Sequence, residues 1–279
     1  MTVLVTGATG NVGRNVVDLL LAEGVPVRAA SRTPSGLPAG VDVRTADLTD
    51  PGSFVDVFDG VDKVFLFPNP AGVQGVVAAA KTAGVQHIVL LSSIATAEPN
   101  TDNMIAQAHL AVESAVRNSG IAWTFVRPGF FATNTFRMAP VLKKDGGIRI
   151  PYAQAEFSPI HEHDIAAVAA VALLNEGHEA AAYPLTGPES ITQAKMVELI
   201  GQAVGRQLWV EDVSGDEAEV ESAKSFPPGT PPEIIKTMLG FTKAQQGRSA
   251  RVEDTTERLL GRPARTYAEW AVDHKAAFA

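Results

Sequence analysis

A short apolar segment, Thr2-Val3-Leu4-Val5-Thr6, runs directly into Gly7-Ala8-Thr9-Gly10-Asn11-Val12-Gly13 and then into apolar residues at helical spacing. No other feature of the chain constrains its fold as tightly. Gly7 permits a tight turn out of a strand, Gly10 lets the backbone approach a pyrophosphate, and Gly13 lets the next helix pack closely on the strand. The start of that helix offers free N–H groups and the positive end of a dipole to phosphate oxygens. Three glycines alone carry little weight. Their place between a strand and a helix, at the head of an alternating pattern, makes a dinucleotide site the expectation. Thr9, Asn11 and Val12 complete the candidate phosphate loop.

The pattern continues through the first half. Strands are expected over residues 3–6, 25–30, 41–45, 61–67, 87–92 and 123–127, and helices over 12–22, 73–83 and 106–118. Asp47-Leu48-Thr49-Asp50-Pro51 is a cap-and-turn signal, with Pro51 suited to a helix start. Strands separated by helix-length segments imply right-handed βαβ units and an α/β fold. The expected fold is a Rossmann-type doubly wound parallel sheet in the order 3-2-1-4-5-6, with a small, mostly helical C-terminal lobe. After Arg127 the texture changes, and residues 140–159 are rich in Gly and Pro. An apolar helix over 164–174 is capped by Asp164, and residues 183–186 offer a seventh strand. The expected domains are residues 1–150, with 160–187 returning to that domain, and a substrate-side lobe over 188–279.

A chain of 279 residues with a formal charge of −8 and no basic cluster is a poor match for nucleic acid or an anionic membrane. It has no cysteine, which removes disulfides, thiolate metal sites and thiol nucleophiles. Met1 leads into a buried-type strand without a charged leader, and no apolar run reaches transmembrane length. A cytoplasmic monomer or homodimer acting on a small molecule is the expectation.

The second strand decides the cofactor. An acidic residue at its end would hold a ribose 2′-hydroxyl and favour NAD. Here the chain reads Ala30-Ser31-Arg32-Thr33, and an arginine suits a 2′-phosphate. The expectation is NADP(H), with Ser31 and Arg32 as ligands; the alternative for Arg32 is a solvated loop. Asp47 and Leu48 are candidates to meet the adenine ring, or Asp47 only caps a helix. Phe67 and Pro68, after the fourth strand, join the cofactor set.

The succession Thr6–Gly13, Asp47-Leu48, Ser92-Ser93 and Arg127-Pro128-Gly129 resembles the extended and atypical short-chain dehydrogenase/reductase superfamily. His109-Leu110-Ala111-Val112-Glu113, Ser119-Gly120-Ile121, Arg127–Asn134 and Pro159–Ala166 narrow the resemblance to the NmrA-like group. Within that group the chain is similar to NADPH:quinone oxidoreductases and triphenylmethane reductase. The resemblance covers essentially the whole chain and is weaker after Ser190. The superfamily usually reduces carbonyls with a serine, a tyrosine and a lysine. Ser92 or Ser93 matches the serine, but the Tyr-x-x-x-Lys pair is missing: those places fall at Ile105 and His109. The resemblance implies hydride transfer to acceptors that delocalise the resulting charge, such as quinones or conjugated cations. Ser92 would orient the nicotinamide or substrate oxygen, and His109 would be the proton donor or a ribose ligand. Pro128, Phe130, Phe131 and Asn134 would line the nicotinamide and substrate pocket, with Glu113 anchoring a backbone group or Arg127.

His161-Glu162-His163-Asp164 invites a metal, but a third ligand is not evident nearby. No metal is expected, and His161 faces the pocket from a loop. The proline-rich segment 227–232 is either a lid or a surface linker. Three functions remain open: an NADPH-dependent reductase of a quinone-like or conjugated carbonyl substrate, an NADP(H)-binding redox sensor without turnover, or a biosynthetic tailoring reductase or dehydratase.

Overall fold

The computed structural model describes residues 1–97, 103–226 and 229–279. Two compact units emerge: one comprises Met1–Gly129, Glu162–Leu185 and Thr255–Arg262, the other Phe130–His161, Thr186–Asp254 and Pro263–Ala279. The first division thus falls at Gly129, where the sequence texture changes, rather than at residue 150.

The first unit is built on β1 (Val3–Thr6), α1 (Asn11–Ala22), β2 (Val27–Ser31), β3 (Asp42–Thr45), β4 (Lys63–Leu66), α2 (Val73–Thr82), β5 (His87–Leu91), α3 (Met104–Arg117) and β6 (Ala122–Pro128). The helix expected after Asp50 is a single 3-10 turn, Pro51–Phe54, whose first free N–H, that of Gly52, donates to the Asp50 carboxylate. The seven-stranded sheet runs β3-β2-β1-β4-β5-β6 and ends on a strand contributed later in the chain. Every pairing in it is parallel. This is the expected order.

The central strands carry unbroken apolar runs because both faces are covered. β1 is buried at all four positions and β5 at all five. On one face lie Phe54, Phe58, Val76, Val77, Val112 and Val116, packed on Leu4, Leu66, Ile88 and Phe125.

Two elements return from later in the chain after the second unit's α4 (Ala139–Asp145), β7 (Gly147–Pro151) and β8 (Glu156–Phe157). These are α5 (Glu162–Leu174) and β9 (Ala181–Leu185), the seventh strand, beside β6. α5 is apolar nearly all round and fully buried at Ile165, Val168, Ala169 and Leu173, as a helix between other elements must be. Its alanines allow close packing on α1. α5 starts at Glu162, so Asp164 lies inside its first turn rather than capping it. The buried Asp164 carboxylate instead accepts from Arg262 Nη2 at 2.7 Å.

The second unit continues with β10 (Ile191–Thr192), α6 (Gln193–Val204), β11 (Trp209–Val213), α7 (Gly215–Lys224) and α8 (Pro232–Ala244). The short α9 (Thr255–Leu260) belongs to the first unit and α10 (Tyr267–Asp273) to the second. The unit is mostly helical, as expected, but β7 pairs with β11 in parallel and β8 with β10 antiparallel. Its own core joins Leu142, Met196, Ile200, Tyr267, Trp270 and Phe278. In the proline-rich segment, Pro227 and Pro228 lie outside the described residues, and Pro232 opens α8. Among the described residues, no helix is long and apolar enough to cross a membrane.

One buried histidine carries a consequence for stability. Thr124 spends its hydroxyl proton on the His178 carbonyl at 2.6 Å, so His87 Nε2, 2.9 Å away, must donate to Thr124 Oγ1. His87 Nδ1 is buried without a partner. Burial, reinforced by the nearby Lys63 charge, pulls the His87 pKa down from 6.5 to about 4. The folded state therefore binds fewer protons than the unfolded state between those values. Stability is retained above pH 6.5 and lost as pH falls towards 4. This group's share is at most about 3 kcal/mol. Denaturant unfolding at several pH values should show that acid slope, and His87→Gln should flatten it; identical slopes for the two proteins would refute the assignment.

Candidate active site

In a parallel sheet all strand C-termini share one edge, and a ligand crevice opens where the strand order reverses. Here the reversal lies between β1 and β4. The expected loops therefore share that edge: Gly7–Gly13 after β1, Ser31-Arg32 after β2, Asp47-Leu48 after β3, Phe67-Pro68 after β4 and Ser92 after β5. Gly7 and Phe67 meet at the reversal itself, where a Cβ on Gly7 would lie 3.0 Å from Phe67 Cβ.

The geometry of the glycine turn is specific. Gly7 has φ +61°, which disfavours a side chain. A Cβ on Gly13 would stand 2.3 Å from the Gly7 carbonyl oxygen, which no side chain could tolerate. α1 begins at Asn11 with Gly10 as N-cap, no side-chain cap and no acidic residue in the first turn. Its first N–H groups are left for a ligand. Thr9 Oγ1 and Ser31 Oγ lie 2.9 Å apart, joining the first two loops. Arg32 is exposed, with no carboxylate at the end of β2. The Asp47 carboxylate accepts from Thr49 N and Oγ1, both at 2.9 Å. These bonds hold its pKa below the usual carboxylate value, and the Arg32 charge adds to the effect.

At the ends of β5 and β6 a different structure appears. Glu113, on α3, is fully buried and accepts from Arg127 Nε at 2.8 Å, Arg127 Nη2 at 2.6 Å, Ser92 Oγ at 2.6 Å and Thr96 Oγ1 at 3.2 Å. Burial alone would raise its pKa; the Arg127 and Ser92 hydrogen bonds overcome this and hold it low. Ser92 is 3% exposed, and its proton is committed to Glu113. Ser92 therefore reads first as a strut of the strand edge. Pro128, which ends β6, is buried as well.

Ile105 is exposed on α3. His109, one turn before Glu113, is half-buried, with Nδ1 inside and unpartnered. Burial lowers its pKa, against the opposing Glu113 charge. None of the tyrosines replaces the missing acid by pattern. Tyr267 is buried, donates to Thr135 Oγ1 at 2.9 Å and has its pKa raised by burial.

The remaining expected residues belong to the second unit. Phe130 and Asn134 line a cavity of about 400 Å³ within it. Phe130 stacks on Phe157 with centroids 4.6 Å apart. Phe131 and His161 are not on that cavity's wall. Phe131 bridges to Ile160, and His161 is buried with Nε2 3.4 Å from the Asp273 carboxylate. Sequence reasoning missed the cavity's other members, notably Arg137, Trp209 and Phe241. A lone cation in the run Phe136-Arg137-Met138 was the available signal.

The turn at Gly7–Gly13, closed to any side chain and facing uncapped N–H groups, fits a pyrophosphate. Together with the parallel sheet it defines a dinucleotide-binding protein of Rossmann architecture. The comparisons agree. Residues 7–176 match the family model described as NAD(P)H-binding, and the chain belongs to that family. It is 38% identical to the (4-alkanoyl-5-oxo-2,5-dihydrofuran-3-yl)methyl phosphate reductase of Streptomyces griseus, over 99% of both chains. It is 35% identical to the NAD(P)H azoreductase of Xenophilus azovorans, again over 99% of both. The structure of Citrobacter triphenylmethane reductase superposes with a TM-score of 0.80 at 26% identity, covering 99% of each chain. The Escherichia coli quinone oxidoreductase QOR2, solved with NADPH, superposes with a TM-score of 0.79 at 26% identity, covering 98% of this chain and 99% of that one. The chain is an NAD(P)H-dependent reductase related to azoreductase, quinone oxidoreductase and triphenylmethane reductase.

Two variants test this geometry. Gly13→Ala forces the turn apart, so thermal unfolding should report a loss of about 2–3 kcal/mol and calorimetry a loss of NADPH affinity; a variant as stable and as tight as the wild type would contradict the close contact. Glu113→Gln leaves Arg127 without its counter-charge inside the protein. It should destabilise by about 3 kcal/mol, read by denaturant unfolding, whereas an effect within 0.5 kcal/mol, the range usual at surface sites, would mean that the cluster is not a structural anchor.

Proposed function

We propose that this protein is an NADPH-dependent reductase of quinone-like or conjugated carbonyl substrates that works without the tyrosine–lysine pair. The observation that carries this reading is the combination of an intact phosphate cradle with Ile105 and His109 at the two positions where the acid would stand. Bound NADPH supplies a hydride, and the acceptor takes it together with one proton, leaving NADP⁺. An acceptor that spreads the incoming charge over a ring or a conjugated carbonyl has little need of a dedicated acid.

The chain's own residues then bind and orient. The backbone of Gly7–Gly13 and the start of α1 hold the pyrophosphate, with Thr9, Asn11 and Val12 in the loop. Ser31 and Arg32 meet the 2′-phosphate, Asp47 and Leu48 border the adenine, and Phe67 and Pro68 wall the crevice. Glu113 and Arg127 keep the ends of β5 and β6 rigid beside Ser92 and Pro128. His109, with its lowered pKa, is mostly neutral at pH 7, so any proton it gives is given at lower pH. Phe130 and Asn134, on the wall of the second unit's cavity, are the substrate-side residues of this reading. The substrates named for the related proteins support it: a quinone, an azo compound, a triphenylmethane dye and an acyl dihydrofuranone phosphate all offer conjugated acceptors. The missing pair also favours a second reading, an NADP(H) sensor without turnover.

Loss of NADPH absorbance in the presence of a panel of quinones and enones separates the two. Turnover supports the reductase; NADPH binding with no oxidation above background across the panel supports the sensor and sinks the reductase. Arg32→Asp should weaken NADPH at least tenfold while changing NADH far less, measured by titration; equal loss for both cofactors would remove Arg32 from the 2′-phosphate site. If His109 gives the proton, kcat should fall as pH rises through a value below 6.5. His109→Ala should abolish that limb, and a profile unaltered by the substitution would make His109 structural.

A further inference from the structure

The cavity of the second unit contains a charge without a partner. Arg137 sits on its wall, carried by the 3-10 segment Ala132–Met138. The other cations there are neutralised. Arg149 meets Glu211 at 3.2 Å, Glu221 at 3.3 Å and also Glu217. Lys224 meets Glu221 at 2.9 Å. Arg137 makes no hydrogen bond or ion pair among the described residues, and Asp145, on the same wall, does not reach it. Its side chain is exposed to water, and the surrounding protein lowers its pKa from the usual guanidinium value by desolvation. The wall also carries the apolar side chains Phe130, Met138, Phe157, Leu239 and Phe241.

A guanidinium presents five donors in a planar fork that matches an oxyanion, and it remains charged at any working pH. On a cavity wall and without a counter-ion among the described residues, this fork is open to an anionic ligand. We infer that the second unit binds substrates with an apolar conjugated body and an anionic oxyacid group, and that Arg137 is the specificity residue that takes that group. A terminal phosphate or carboxylate satisfies the same fork. The inference rests on the reductase reading for the word substrate, but the anion site itself does not depend on turnover.

The experiment therefore has two arms. In the first, calorimetry follows phenyl phosphate and phenyl acetate binding to the wild type, Arg137→Gln and Arg137→Lys, with NADPH affinity and thermal unfolding recorded as folding controls. Phenyl phosphate should bind the wild type, bind Arg137→Gln at least tenfold more weakly and bind Arg137→Lys at an intermediate level, while neutral phenyl acetate shows no such ranking. In the second arm, NADPH oxidation is followed with a benzoquinone bearing a propionate side chain and with its methyl ester. The acid-to-ester ratio of kcat/KM should fall at least tenfold in Arg137→Gln, mainly through KM. Phosphate and carboxylate probes differ between the arms, so a response in only one identifies which oxyacid the site takes. Equal phenyl phosphate affinity in the wild type and Arg137→Gln, or no binding to the wild type, together with an unchanged acid-to-ester ratio, overturns the anion site. Loss of phenyl phosphate binding in Arg137→Gln with no quinone turnover in any variant upholds the anion site and overturns the reductase reading instead.

Discussion

The carboxylate of Glu113 is the interaction on which the cofactor edge of the sheet depends. It is fully buried, and it collects hydrogen bonds from the ends of two strands and from the turn that follows the first of them. A carboxylate in that position would be strongly destabilising alone, because burial disfavours its charge. Arg127 makes it tolerable through a bidentate pair, and Ser92 and Thr96 satisfy the remaining lone pairs. The consequence is a strand edge whose geometry is set by charge, in a region where function demands precise backbone placement.

The same edge is shaped at its other end by an absence of atoms. Gly13 approaches the Gly7 carbonyl so closely that no side chain fits between them, and α1 is thereby drawn onto the end of β1. Packing then propagates from that contact. α1 meets α5, and α5 covers β4, β5 and β6 with an almost wholly apolar surface. The chain has to return from the second unit to supply α5 and β9, so the sheet is not complete until residues far apart in sequence have met.

The second unit solves a different problem. Its core is aromatic, built around Tyr267, Trp270 and Phe278, and its cavity mixes phenylalanines with one unneutralised arginine. In the reading proposed above, such a pocket selects by shape and charge instead of by catalytic groups. That division of labour suits an enzyme in which the cofactor carries the chemistry and the protein supplies orientation.

Much of this was legible in the residues. Short apolar runs alternating with helix-spaced segments, glycines at fixed offsets and a missing acid after β2 depend only on local chemistry, and they pointed to the sheet order and the cofactor class. For Glu113 the sequence left a backbone group and Arg127 both open, and the fold chose Arg127. What was not legible were the pairings decided by long-range packing. Asp164 looks like a helix cap in sequence, but Arg262, ninety-eight residues later, claims it. Trp209–Val213 lies in a lobe expected to be mostly helical, yet it forms a strand once Gly147–Pro151 comes alongside to complete its ladder. Ser92 looks free for a ligand until Glu113 takes its proton. The isolation of Arg137 is the sum of every contact it does not make. By itself the sequence determined the nucleotide-binding half, because that rests on backbone shape and local spacing; the reduction class came from the family resemblance. Only the tertiary structure decided which polar groups are spent on the fold and which remain for a ligand, because a hydrogen bond's partner is chosen by packing and not by sequence distance.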